Sequence, residues 1–258
     1  MLHIGKVCLG LSWSTLLGVI AYANTAMCST SAEVDLTQYS IEELMEMEVT
    51  TVSKYAQTRA NAPSAVTVIT ADDIRAQGYR TLADILRAVP GLYVSYDRNY
   101  SYVGARGFSR PGDYNTRLLL LVDGYRVNDN TYDGAYVGSE FLLAVDLIER
   151  VEFAPGPGSS IYGGNALFGV INVITKSGRT SPGANVALSA GSEGQKRGAV
   201  RFGRSGAGSQ FEIEAIVAGS VWSSDGDDLY FPEFDDSASN NGIAQDRDAD
   251  GGEQVYAK

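Results

Sequence analysis

The chain of 258 residues has one histidine, His3, and two cysteines, Cys8 and Cys28. Residues 1–26 have the order of a secretory signal: Lys6, an apolar run over 7–23 ending in Ala21-Tyr22-Ala23, and Asn24-Thr25-Ala26 as a second cleavage point. Cleavage after Ala23 or Ala26 removes the only imidazole and Cys8. What remains has no histidine base, no Ser–His pair and no histidine metal ligand, and Cys28 has no cysteine partner for a disulfide or a four-ligand zinc site. Met27 stands where a lipoprotein signal carries a small residue, so Cys28 reads as unmodified.

Other scarcities narrow the class further. The opening apolar run is shorter than the ~20 residues of a membrane-spanning helix, and no later run is as long. Lys and Arg number 20 against 31 Asp and Glu, a net charge of −11 that loss of Lys6 deepens by one. Such a chain has no basic footprint for nucleic acid. There is no GxSxG, no Walker loop and no GxGxxG opening a helix, and Gly156 with Gly158 is too little for a phosphate cradle. Glu149 and Glu152 fall in an expected strand, three positions apart and so on opposite faces, and read as solvated or salt-bridged carboxylates. The chain therefore reads as no enzyme, with no cofactor and no metal site.

What is present is a sequence of local signals. Residues 27–62 are polar, with a capping box at Ser40 and Glu43 ahead of Leu44 and Met47. Glu48-Val49-Thr50-Thr51-Val52-Ser53 comes next, short and β-prone. Residues 63–177 read as an α/β unit. A strand at 66–69 precedes a short helix capped by Thr70 and Asp73 and ending at Gly78. A second helix is capped by Thr81 and Asp84, carries Leu82, Ile85, Leu86 and Val89 on one core-facing stripe, and stops at Pro90-Gly91. A strand over 118–122 meets Asp123-Gly124, the dipeptide of a two-residue hairpin. The stretch DLIERVEFAPGPGSSIYGGNALFGVINVITK, 146–176, predicts a strand at 149–153, a Pro155-Gly156-Pro157-Gly158 corner, a Gly163-Gly164 turn and a strand at Gly169–Thr175.

That stretch, with PSAVTVITADDIRAQGYRTLADILRAVPGLYV, GARGF and RLLLLVDGYRV upstream, resembles the plug domain of TonB-dependent outer-membrane receptors over residues 48–176. The resemblance implies a fold: an α/β plug domain, a small mixed sheet with short helices, followed by the first antiparallel strands of a transmembrane β-barrel. It implies a location in the outer membrane of a Gram-negative bacterium and contact with its lipid. It implies two partners, a small-molecule ligand (an iron chelate, haem or a corrinoid) and TonB with its inner-membrane energising complex. By position, residues 48–53 resemble the TonB box, an extended segment suited to strand addition at a partner's sheet edge; the alternative is a first strand of the domain. A second alternative for the whole is a plug-type binding or signalling protein without transport. Such receptors often carry Arg at the position of Pro155, and with the one matched by Arg106 it locks plug to barrel acids, so here the plug–barrel role falls to Arg106 alone.

Eight of the 15 tyrosines lie between Tyr93 and Tyr136. The loops YDRNYS and NDNTYDGAYVG match the family's apical loops, which makes Tyr96, Arg98, Asn99, Tyr100, Asn130, Tyr132 and Tyr136 the candidate ligand residues; tyrosine offers a rigid apolar face with a polar tip. Tyr93, Tyr102 and Tyr125 read instead as half-buried strand aromatics. Beyond Lys176 the period becomes two: Ala184, Val186, Leu188 and Ala190, then Gly198, Val200 and Phe202, then Phe211, Ile213, Ala215, Val217 and Val221. About three barrel strands are expected over 178–258. Residues 225–253 hold ten acids and one Arg, as a hydrated extracellular loop would. Asp246, Asp248, Asp250 and Gly251 begin like a calcium loop, but Ala257 stands where its closing Glu belongs. Since the family closes its barrel with many more strands, the expectation is the front part of a receptor.

Overall fold

The computed structural model describes residues 48–49, 57–58, 66–110, 112–207, 212–246 and 248–258. The leader, the Ser40–Glu43 capping box and 50–53 of the TonB box-like segment lie outside them. Glu48–Val49 (β1) pairs antiparallel with Gln57–Thr58 (β2) in a two-stranded sheet separate from the rest.

The central sheet has five strands in the order β3-β8-β9-β6-β7, namely Thr67–Thr70 (β3), Leu118–Val122 (β6), Tyr125–Arg126 (β7), Ile148–Pro155 (β8) and Gly169–Thr175 (β9). Only β6 and β9 run parallel, so the sheet is mixed, as expected. Both helices form where their caps stand. Thr70 and Asp73 close a reciprocal capping box on Ala71–Gln77 (α1), and Thr81 and Asp84 do so on Leu82–Arg87 (α2), each satisfying backbone N–H groups that a helix start otherwise leaves without partners. Leu82, Ile85 and Leu86 are fully buried and Val89 nearly so, packed with Ile69, Leu118, Leu120, Ile171 and Val173 in one core. Asp123 and Gly124 both take positive φ, +49° and +82°, and turn β6 into β7 as a type I′ hairpin requires. Gly169 is needed for a different reason: a Cβ there would stand 2.6 Å from the Phe153 ring and 2.8 Å from the Ala154 carbonyl.

Two details of the corner differ from expectation. The strand expected at 149–153 runs over Ile148–Pro155 with a bulge at Glu149, where the register with β9 slips by one residue. The bulge breaks strict alternation, so Glu149 and Glu152 do not simply face apart: both reach the Arg150 guanidinium, at 3.7 and 2.9 Å. Glu152 is fully buried and salt-bridged, the structural role expected of the pair. Between the Pro/Gly corner and Gly163 the chain makes a single helical turn, Ser159–Tyr162 (α3), too short to leave a periodic signal.

Beyond the central sheet lies a second sheet of four antiparallel strands in the order β10-β11-β12-β15, formed by Gly183–Ala190, Lys196–Ala207, Glu212–Ser224 and Asp250–Ala257. This is one more than the three or so expected. The fourth strand occupies the end of the acidic segment, so Asp250 and Gly251, read as part of a loop, are extended and paired with Ser224 and Ser223. The rest of that segment carries a small hairpin, Leu229–Tyr230 (β13) with Ile243–Ala244 (β14). Register sorts the four strands into two faces. Val186, Leu188, Val200, Phe202, Ile213, Val217, Val221 and Val255 all point outward and are more than half exposed, Val255 by 88%. Ile216 and Ala218 point inward and are buried against Ala144, Leu147 and Tyr256.

Because α2 supplies three fully buried side chains to the core, Leu86→Ala should cost about 2–5 kcal/mol of stability. A lowered denaturant midpoint with unchanged strand signal by circular dichroism is the expected result.

Candidate functional site

The site is built at the loop end of the hairpin formed by Leu92–Tyr96 (β4) and Ser101–Ala105 (β5). Its turn is organised by one carboxylate: Asp97 accepts the backbone N–H of Asn99 at 2.9 Å and of Tyr100 at 2.7 Å, and the Tyr102 hydroxyl at 2.8 Å. The loop after β7 repeats the device. Asp129 accepts the backbone N–H of Thr131 at 2.7 Å, Tyr132 at 2.9 Å and Gly134 at 2.9 Å. Both loops thus use Asp-x-x-Tyr, with the carboxylate folding the turn that presents the tyrosine.

A buried amide brings the two loops together. Asn115 accepts the Val103 N–H at 2.7 Å through Oδ1 and donates through Nδ2 to the carbonyls of Ser101 at 3.0 Å and Ala135 at 2.8 Å. The Ala135 N–H bonds the Tyr114 carbonyl at 2.9 Å. Asn128 performs the parallel task for the second loop, taking the Leu120 N–H and donating to the carbonyls of Leu118 and Asp133. With every polar atom of these buried amides partnered, the clamp escapes the desolvation cost that would otherwise penalise it.

Tyrosines from three segments converge as a result. The Tyr114 ring lies 5.3 Å, edge-on, from Tyr100, 6.3 Å from Tyr132, 6.5 Å from Tyr136 and 6.4 Å from Tyr102. Tyr100 and Tyr136 are 6.5 Å apart. Of the expected ligand residues, Tyr100, Tyr132 and Tyr136 therefore meet in one basin, with Tyr100 and Tyr132 exposed. Tyr96 is exposed on the neighbouring strand and donates its hydroxyl to the Arg98 carbonyl at 2.9 Å. Asn99 serves the Asp97 turn, and Asn130 stands at the tip of the second loop. Arg98 reaches elsewhere: its guanidinium pairs with Asp248 at 2.9 Å, so the acidic segment contacts the apical loop.

Sequence reasoning missed Tyr114, the ring that all the others touch. It sits before a positive-φ Asn115 in an irregular stretch, and only the non-local amide bonds put it there. The repeated Asp-x-x-Tyr was a readable signal. One strand tyrosine is corrected as well: Tyr125 is 79% exposed, whereas Tyr93, at 40%, is half-buried as expected and Tyr102 is buried. Tyr125 lies on the two-residue edge strand β7, and the Tyr93 ring covers Gly104 from the open face of β4.

The electrostatics follow from these bonds. Backbone N–H donors, those of Tyr100 and Tyr132 foremost, hold the Asp97 and Asp129 carboxyls below the usual range. The hydrogen bond to Asp97, helped by burial, pushes the Tyr102 phenol up to about 12, and burial with the Asp129 charge raises that of Tyr136. The turns are therefore fully braced above the ordinary carboxylate pKa and lose that bracing as pH falls through the lowered values. Among the described residues no group of three or more His, Cys, Asp or Glu is arranged for a metal ion.

The plug meets the four-stranded wall through polar fastenings. The Arg197 guanidinium pairs with Asp146 at 2.8 Å, while Arg201 and Lys176 donate to the Asp146 carbonyl at 3.0 and 2.9 Å. Burial lowers Lys176 to about 8. On the far strand Gln254 donates to the Phe141 carbonyl, and Lys258 pairs with Asp123 at 2.7 Å beside Thr175 and Tyr256. Arg106, expected to make the plug–barrel contact, donates to the Gly156 carbonyl at 3.2 Å.

This arrangement has known counterparts. The sequence profile of the TonB-dependent Receptor Plug Domain matches residues 58–170. Over those residues the chain is similar to a TonB-dependent receptor plug. The chain is 39% identical over 153 residues to the vitamin B12 transporter BtuB of Vibrio vulnificus, a match covering 57% of this chain and 23% of that protein. An iron-regulated outer membrane virulence protein of Vibrio cholerae is 34% identical over 148 residues, covering 56% and 22%. The chain thus spans about a quarter of the length of these relatives. In fold the chain is similar to the ferripyoverdine receptor of the outer membrane of Pseudomonas aeruginosa, at 22% identity and TM-score 0.55 over 69% of this chain and 22% of that one. The siderophore receptor PiuA of Acinetobacter baumannii gives 0.54 at 23% identity, covering 72% and 24%. The plug with antiparallel strands after it is thus a recurring arrangement.

If Asp97 holds the Tyr102 phenol as described, Asp97→Asn removes the raising charge. In a spectrophotometric titration at the phenolate band, one tyrosine should move from about 12 toward the ordinary 10. An unchanged late-titrating phenol would show that another group sets it.

Proposed function

We propose that the chain forms the plug and first wall strands of an outer-membrane receptor that takes up a scarce ligand, such as an iron chelate, haem or a corrinoid, with energy delivered through TonB. The single observation that carries this reading is the tyrosine basin, four aromatic rings gathered from three segments at one end of the plug. Rigid aromatic faces with polar tips suit a large, partly polar ligand, and loops held by a satisfied scaffold are where such recognition sits. The outward apolar face of the wall fits outer-membrane lipid, and the inward face keeps the plug in place.

Ligand contact is assigned to Tyr96, Arg98, Asn99, Tyr100, Asn130, Tyr132 and Tyr136, with Tyr114 added as the ring that aligns the others. The TonB contact is assigned to Glu48, Val49, Thr50, Thr51, Val52 and Ser53. Supporting it, among the described residues β1 pairs only with β2, outside the plug sheet, so TonB can add to this ribbon without dismantling the core. The relatives' names divide between vitamin B12 and iron, and that division leaves both ligand classes in play.

Replacing Tyr100 and Tyr132 with Ala in the receptor should weaken ligand binding by well over tenfold, since loss of a central aromatic anchor typically costs ~2 kcal/mol or more. Equilibrium binding to purified protein checks this, and wild-type affinity in the double variant would refute the placement. Val52→Pro should abolish uptake and spare binding, because proline removes a donor that strand addition to TonB would use and leaves the sequence of the apical loops unchanged. Transport assays in cells, read beside surface binding, separate the two effects.

A further inference from the structure

The charge around the basin is as informative as its rings. Three arginines stand at its rim, and each is already matched to an acid: Arg98 to Asp248, Arg117 to Asp113 and Arg126 to Asp133. Asp97, Asp129, Glu140 and Asp250 have no arginine partner among the described residues, yet Asp97 and Asp129 lie directly behind the tyrosines they present. Glu140 acts on Tyr136, and Asp248 and Asp250 act on Tyr96. Two further arginines, Arg106 and Arg110, lie in the loop that leads to Tyr114 and have no acid partner among the described residues; Arg106 is engaged by the Gly156 carbonyl, which leaves Arg110 against four carboxylates. The faces of tyrosine rings add electron density to this field, an arrangement that attracts positive charge and repels negative charge.

We propose that the basin selects its ligand by charge, taking one that is neutral or cationic and rejecting polyanionic chelates. The inference rests on the reading of the basin as the ligand site and narrows it. A trianionic iron triscatecholate needs several unpaired arginines or lysines to offset its charge, and Arg98, Arg117 and Arg126 are committed to acids of the rim itself. A corrinoid, neutral and edged with amides, or a ferric trihydroxamate carrying a free ammonium meets no such penalty. The shared chemistry is a broad face that packs on tyrosine, with no net negative charge.

The test uses outer membranes from cells that carry the gene and from the same cells with it deleted, and three probes: neutral cyanocobalamin, a monocationic ferric trihydroxamate and a trianionic ferric triscatecholate. Gene-dependent binding should be confined to the neutral or the cationic probe, and which of the two binds identifies the ligand class. Asn130, in the loop that presents Tyr132, gives the control of sign. Asn130→Lys should narrow the preference over the trianion by about tenfold, and Asn130→Asp should widen it, because one added charge acts on three opposite ones across roughly 8 Å of screened space. Preference for the trianion, gene-dependent binding of none of the three, or a shift in the same direction by both variants would each overturn the proposal. Tyr100→Ala with Tyr132→Ala separates the two levels. If binding persists unchanged, the basin is not the site; if binding falls but the trianion is preferred, only the charge rule fails.

Discussion

A strand in lipid has to satisfy its backbone within the sheet, and its side chains alternate, so one four-stranded wall must suit two surroundings at once. The rest of this molecule depends on that constraint. Val186, Leu188, Val200, Phe202, Val217 and Val255 form one apolar band across the outward face, with Arg204 and Glu253 on the same face beside it. The opposite face cannot be equally apolar, because the plug it holds has its own sheet and its own core. Contact there is a small apolar patch at Ile216 and Ala218 ringed by Arg197, Arg201, Gln254, Tyr256 and Lys258, each aimed at a plug carbonyl, carboxylate or hydroxyl. A seam of this kind holds position through many modest, directional bonds, unlike the interlocked hydrophobic packing beneath α2.

Within the plug, the ordered loops depend on buried amides more than on apolar burial. Asn115 and Asn128 replace the strand ladder where the chain leaves the sheet, and they tie β5, the 114 region and the 128–136 loop into one platform. The Asp-x-x-Tyr turns then set the rings on it. Rings presented in this way are held in place by the scaffold beneath them, the preorganised condition under which aromatic contact area converts to affinity.

Much of the fold was legible because its signals are local. Thr70 with Asp73 and Thr81 with Asp84 announce helix starts through bonds spanning three residues, and Asp123-Gly124 fixes a hairpin through two dihedral angles. The family resemblance supplied the sheet and the wall. What escaped was non-local or too short. The turn at Ser159–Tyr162 is one helical turn long. The strand Asp250–Ala257 was hidden because its first half shares the acidity of the segment before it, and only its pairing with β12 reveals it. Tyr114 was passed over, and Arg98 was assigned to ligand alone, for the same reason: their partners lie across the fold, in Asn115's platform and at Asp248. The wall contacts at Asp146, Lys176 and Asp123 escaped for that reason too, since each meets a partner far along the chain.

The account stands most directly on the two-faced wall, and spin-label accessibility in membranes measures it. Single cysteines at 199, 200, 217 and 218, in a protein with Cys8 and Cys28 replaced by serine, carry the label past the two faces in turn. The account predicts that labels at Val200 and Val217 relax readily with lipid-dissolved oxygen and hardly at all with a water-soluble nickel chelate, while those at Ala199 and Ala218 respond weakly to oxygen. Equal accessibility at all four positions, or ready access of the nickel chelate to Val200 and Val217, would contradict a wall that faces lipid.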